Sequence, residues 1–126
     1  MNARNALRER VKLYISSHLD DPSLSIARLA SVVCCSKRYL HMVFQSENAS
    51  ISDYILRARL DRCRADLINL AGTRRSITEI AYSWGFSSST HFSRCFKRAF
   101  GLSPRDFRAG YLASVRNAHS LPANGG

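Results

Sequence analysis

The chain has 126 residues, with 19 Lys and Arg against 9 Asp and Glu, for a formal net charge of +10. The excess is almost all arginine (16 Arg, 3 Lys) on a background that is 45% hydrophobic, which excludes a disordered basic tail and points to a compact domain with a polyanionic partner. No apolar run approaches the ~18 residues of a membrane span and no apolar leader is visible, and cysteines at 34, 35, 63 and 95 without other secretory marks suit a reduced compartment better than a disulfide framework.

Helical spacing runs through the whole chain. In residues 1–21, Leu7, Val11, Tyr14, Ile15, His18 and Leu19 share one face, and Asp20, Asp21 and Pro22 end the pattern. A short helix follows with Ser25 as N-cap and a stripe of Ile26, Leu29, Ala30 and Val33. Ser36 is the next start signal, and Leu40, Val43 and Phe44 carry helical spacing over residues 36–47. A longer helix is expected with Ser52 as its cap, a stripe of Leu56, Leu60, Cys63, Leu67 and Leu70 widened by Ile55 and Ala58, and Gly72 as its end. Arg57, Arg59, Arg62 and Arg64 occupy its other faces.

The pattern restarts at Ser76, where Ser76 and Glu79 have the spacing of a capping box and Ile77, Ile80, Ala81 and Trp84 form the apolar face. Gly85 punctuates it. A further helix over residues 87–100 buries Phe92, Cys95, Phe96 and Phe100, and Gly101 stops it. Ser103 as N-cap and Pro104 at the first helical position open a last helix, with Phe107 and Tyr111 toward the core. The pattern fades after about residue 114.

The two halves repeat. Residues 25–30 align with residues 76–81 at an offset of 51, and Leu40 and Phe44 align with Phe92 and Phe96 at an offset of 52. The slip falls in the turn, where Cys34, Cys35 and Ser36 stand against Gly85, Phe86, Ser87 and Ser88. Each half is a short helix, a tight turn and a longer helix, the helix-turn-helix form, and the small residues Ala30 and Ala81 allow a close helix crossing at the same point in each.

From Ile77 to Arg108 the residues resemble the signature of the AraC/XylS family of bacterial transcription regulators. Ile77, Ile80, Ala81, Gly85, Phe86, Ser88, Phe92, Arg94, Phe96, Lys97, Phe100, Gly101, Pro104, Phe107 and Arg108 all fit it. The likeness extends over about residues 5–111. It implies an all-α, homeodomain-like fold of about seven helices: a first helix-turn-helix subdomain (residues 1–50), a linker helix (51–72), a second subdomain (73–114) and a disordered tail (115–126). Three departures stand out. Cys34 and Ala49 occupy positions where the family usually has glycine, both of which often favour φ > 0. The stretch before Ser76 is a few residues longer than usual and adds Arg74 and Arg75.

The resemblance implies sequence-specific binding of double-stranded DNA, each second helix lying in the major groove. Arg38, His41 and Met42 match base-reading positions of the first copy, and Ser89, Thr90, His91 and Arg94 those of the second. Gln45, on the same face as Arg38, suits adenine or a phosphate. Candidate phosphate contacts are Ser36, Lys37, Arg74, Arg75, Ser88, Lys97, Arg98, Ser103 and Arg105. The linker arginines have Asp53, Asp61 and Asp66 nearby, and about half of them read as structural.

The family further implies a bacterial, cytoplasmic and nucleoid-associated regulator, an activator working with RNA polymerase at a promoter or operator. Any effector ligand or dimerisation would belong to a separate domain absent from this chain, which reads as a stand-alone regulator or the C-terminal part of a longer one. No cofactor is implied. The cysteines and histidines have no metal-ligand spacing, and Cys63 and Cys95 read as small core residues. No glycine-rich phosphate loop or nucleophile–base pair suggests an enzyme. The alternative function is a non-specific, nucleoid-type basic protein.

Overall fold

The computed structural model describes residues 2–69 and 75–120. Those residues form seven helices and no strand: α1 (Ala3–Ser17), α2 (Ile26–Val32), α3 (Lys37–Val43), α4 (Ile51–Leu67), α5 (Ile77–Ser83), α6 (Ser89–Phe100) and α7 (Pro104–Ser120), with a 3₁₀ turn (Phe44–Glu47) after α3. No helix among them is long and apolar enough to cross a membrane.

Serine starts most of these helices. The hydroxyls of Ser25, Ser36, Ser76 and Ser103 accept from the amides of Arg28, Tyr39, Glu79 and Asp106, satisfying a donor that the first helical turn leaves free. The linker helix differs from the sequence expectation. Ser50, not Ser52, is its cap, accepting from the Asp53 amide at 3.1 Å. The earlier start brings Ile51 into the first core, fully buried. The helix ends at Leu67, so the expected stop at Gly72 and the stripe residue Leu70 lie outside the described residues. At the other end of the chain, α7 continues to Ser120, past the fade expected near residue 114.

Two cores form around α4. Its first half places Ile51 and Ile55 with Val11, Ile15, Leu29, Leu40 and Phe44. Its second half places Leu60, Cys63 and Leu67 with Ile80, Phe92 and Phe96. Trp84 packs against both. The aromatic rings of the second core run in series, Phe86 to Phe92 at 5.0 Å, Phe92 to Phe96 at 5.7 Å, and Phe96 to Phe100 and Phe107 at 4.7 and 5.6 Å.

Both helix-turn-helix turns close in the same way. Cys35 N donates to Ala30 O and Cys34 N to Ser31 O, at 3.0 and 3.3 Å. Phe86 N donates to Ala81 O and Gly85 N to Tyr82 O, at 3.1 and 3.2 Å. This pair of hydrogen bonds across a helix end needs one left-handed residue. It is Gly85 in the second turn (φ 92°) and Cys34 in the first (φ 56°), as the family comparison of the sequence anticipated. A Cβ at such a φ costs about 1–2 kcal/mol. Cys34→Gly is therefore expected to stabilise the chain by about 1 kcal/mol, read as a higher urea midpoint at unchanged slope. A midpoint that stays put or falls would mean the turn bears no strain at Cys34.

The second glycine-replacing position turned out one residue away. Asn48, rather than Ala49, takes the left-handed conformation (φ 57°), which asparagine tolerates better than alanine.

Candidate nucleic-acid interface

The first reading helix is shorter than its sequence pattern. It stays α-helical only to Val43 and tightens to 3₁₀ over Phe44–Glu47. Arg8 of α1 meets the shortened end. Its Nη1 donates to Val43 O at 3.2 Å, satisfying a carbonyl that the end of the α-helix leaves free. Its Nε and Lys12 Nζ hold Glu47 at 3.3 and 2.6 Å. The hydrogen bond from Lys12 to Glu47 raises the lysine pKa, with burial opposing it.

With Leu40 and Val43 buried, helical geometry turns Arg38, His41 and Met42 outward, and all three are exposed. Gln45, on the 3₁₀ turn, is exposed beside them. These four, with Ser36 and Tyr39, line one open depression of about 510 Å³. Tyr39 was not singled out in the sequence, because its ring also packs on the first core and reads there as an apolar residue.

In α6, Phe92, Cys95 and Phe96 face the core, while Thr90, His91, Arg94, Lys97 and Arg98 are exposed and Ser89 is half-buried. His91 is partly tied down, its ring nitrogens both 3.7 Å from Cys95 Sγ and its ring tilted against Phe86. Lys37 and Arg105 are exposed near the starts of α3 and α7. Ser36, Ser88 and Ser103 hold helix amides through their oxygens, Ser88 that of His91 at 3.2 Å, which leaves each hydroxyl hydrogen for another acceptor.

The cationic side chains of the reading helices differ from those of the linker. Among the described residues, Lys37, Arg38, Arg94, Lys97, Arg98 and Arg105 make no ion pair, side-chain hydrogen bond or ring contact. The linker arginines are all engaged. Arg57 pairs with Asp61 at 3.3 Å and lies over the Phe100 ring at 4.7 Å, and Arg64 covers the same ring at 4.4 Å. Arg62 lies over Trp84, and Arg59 Nε and Nη2 donate to Leu19 O and Asp21 O. Sequence alone assigned about half of this set to structure, and the fold engages all four.

Arg75 pairs with Asp66 at 3.6 Å, and its carbonyl accepts from Arg108 Nη1, so the phosphate candidate is internally held. Arg74 lies outside the described residues. Arg108 also donates Nε to Leu67 O at 3.2 Å, satisfying a carbonyl at the end of α4.

Asp21 is held down to about 2 by the hydrogen bonds of the Ser23 hydroxyl and amide, with Arg28 adding to them. Burial pushes the Cys63 thiol up to about 12, which suits a packed side chain rather than a nucleophile. No group of three or more His, Cys, Asp or Glu among the described residues is placed to hold a metal.

A helix-turn-helix domain family model matches residues 29–110. A solved transcriptional regulator with an AraC-type DNA-binding domain, from Chromobacterium violaceum, superposes with a TM-score of 0.75 at 29% identity, over 85% of this chain and 93% of that one. The chain belongs to the AraC family. The arabinose operon regulatory protein of Escherichia coli K12 is 36% identical to this AraC-family chain over 114 residues, 90% of the chain and 38% of that protein. The DNA-binding domain of AdpA, a global transcriptional factor solved in complex with a target DNA, superposes with a TM-score of 0.76 at 26% identity, covering 86% and 94% of the two chains. The AraC-family chain spans 27–38% of the length of the first curated relatives it matches.

Proposed function

We propose that this chain binds double-stranded DNA sequence-specifically, with α3 and α6 in successive major-groove segments on one face of the duplex, roughly 34 Å apart. The observation that carries the reading is the division of the basic side chains. Those on the two reading helices are exposed and unpartnered, whereas those on the linker are engaged within the fold.

In this reading Arg38 and Arg94 contact guanine in bidentate fashion, Gln45 takes adenine or a phosphate, and Met42 meets a thymine methyl. His41, Ser89, Thr90 and His91 complete the base-facing set. Lys37, Lys97, Arg98, Arg105 and the capped helix starts at Ser36, Ser88 and Ser103 hold phosphates. We place the chain in a bacterial cytoplasmic regulator that activates transcription with RNA polymerase, without enzymatic chemistry of its own. Any effector sensing or dimerisation belongs to a separate domain. The short share of each relative that this chain matches supports that division.

Selection from random duplexes tests the reading. One asymmetric site, bound in the presence of excess random DNA with a preference of about 10³ or more, is the expected result. Equal affinity for every sequence would instead make this a non-specific nucleoid-type protein. Arg94→Ala is expected to cost about 1–3 kcal/mol of binding and to relax preference at one base position. Lys97→Ala is expected to weaken all sequences alike and lower the salt slope by about one. Anisotropy titrations at several salt concentrations separate the two behaviours. An Arg94→Ala protein that mimics the lysine variant would reassign Arg94 to phosphate.

A further inference from the structure

Arg59 sits at the junction of three parts of the molecule. Its Nε donates to Leu19 O at 3.0 Å and its Nη2 to Asp21 O at 2.6 Å, both in the loop between α1 and α2 of the first unit. On its other side is Gly85, the turn residue of the second unit. A Cβ built on Gly85 would stand 2.8 Å from Arg59 Nε, 2.9 Å from Cζ and 2.6 Å from Leu19 O, so the absence of a side chain there is what lets the three meet. The loop end of the clamp is itself held, since the Asp21 carboxylate binds Ser23 and Arg28.

The adjoining residue reinforces the junction. Trp84 packs on both cores, its Nε1 donates to Asp66 at 2.7 Å, and Arg62 covers its ring at 5.2 Å. The guanidinium suits this place because its donors form a rigid planar fork that can serve two carbonyls at once.

We propose that Arg59 is a positioning residue for DNA recognition: by tying the α1–α2 loop to α4, where both pack against the Gly85 turn, it fixes the angle between the two reading helices, and so the spacing of half-sites the chain accepts. The consequence for DNA rests on the reading above; the effect on orientation does not. A second half-site is bound intramolecularly, and its effective concentration is high only where the two units are held at a matching geometry. Loosening the junction spreads that concentration over neighbouring spacings.

The test uses the whole chain with Arg59→Met, which keeps the apolar stem and removes the donors, and Arg59→Gln, which keeps a donor but lacks the reach for both carbonyls. Helical ellipticity checks that each folds. Residual dipolar couplings without DNA are then fitted for residues 2–50 and 76–112 separately. One alignment tensor is expected to fit both units in the parent chain, and two different tensors in the variants. On duplexes with the spacer changed by one or two base pairs, discrimination between the best spacing and its neighbours is expected to fall roughly tenfold in the variants, with preference within each half-site kept.

A single tensor in a folded variant, or equal weakening at all spacings, overturns the proposal and leaves Arg59 a stability or phosphate residue. Failure of both variants to fold overturns it as well. If the parent chain selects no sequence, the DNA reading falls, while the tensors still decide the role of Arg59.

Discussion

Phe96→Ala is expected to destabilise the second helix-turn-helix unit by about 3–5 kcal/mol, the usual cost of removing a fully buried ring. Phe96 has no exposed surface and stands between Phe92 and Phe100 on the same face of α6 and Phe107 of α7, so it joins the two helices. Little can collapse into the space, because its ring neighbours are held in turn by Phe86 and by Arg57 and Arg64 over Phe100. The loss is large beside a whole-domain stability of about 5–15 kcal/mol. Urea unfolding followed by Trp84 fluorescence measures it, since Trp84 is the only tryptophan and touches this core. Because the first core has its own side chains, far-UV ellipticity should keep a later transition in the variant. A loss under about 1 kcal/mol would show that the aromatic series repacks freely.

Gly85→Ala is expected to cost about 2–4 kcal/mol, from a left-handed backbone that disfavours a Cβ and from the collision that the Cβ makes. Arg59 is a side chain and can swing aside. The Leu19 carbonyl is backbone and cannot move without shifting the loop that leads into α2. The same substitution therefore strains the turn and pushes the two units apart. Denaturant midpoints at unchanged slope measure the cost. A loss no larger than the roughly 1–2 kcal/mol of backbone strain alone would mean the loop gives way easily. The contrast with Cys34 is instructive. The first turn carries a side chain at the equivalent position and stays open to solvent there, whereas Gly85 is buried against another unit.

Much of the architecture was legible in the residues. Helical spacing located every helix, and serines 25, 36, 76 and 103 marked four starts, because a cap is a local hydrogen bond three residues long. Where local signals competed, tertiary packing chose. Ser50 and Ser52 both offer a cap before the linker helix. The earlier one prevails because starting there buries Ile51 in the first core. The end of the first reading helix was not legible, and Arg8, which meets the Val43 carbonyl there, lies 35 residues away. The shift of the left-handed residue from Ala49 to Asn48 comes in the residue that directly follows this tightened turn.

The sequence by itself determined the duplicated helix-turn-helix plan and the outward faces of the two reading helices. With 3.6 residues per turn, burying Leu40 or Phe92 leaves Arg38 and His41, or Thr90 and Arg94, no other direction. It also determined the excess of positive charge, but not its division. Only the tertiary structure decided which arginines stay free. Arg59 meets carbonyls 38 and 40 residues away, Arg108 meets carbonyls 33 and 41 away, and Arg57 and Arg64 meet a ring on another helix. A guanidinium on a helix surface has the same local signature whether it faces solvent or a partner. The partner is set by how distant segments pack, which no local spacing records.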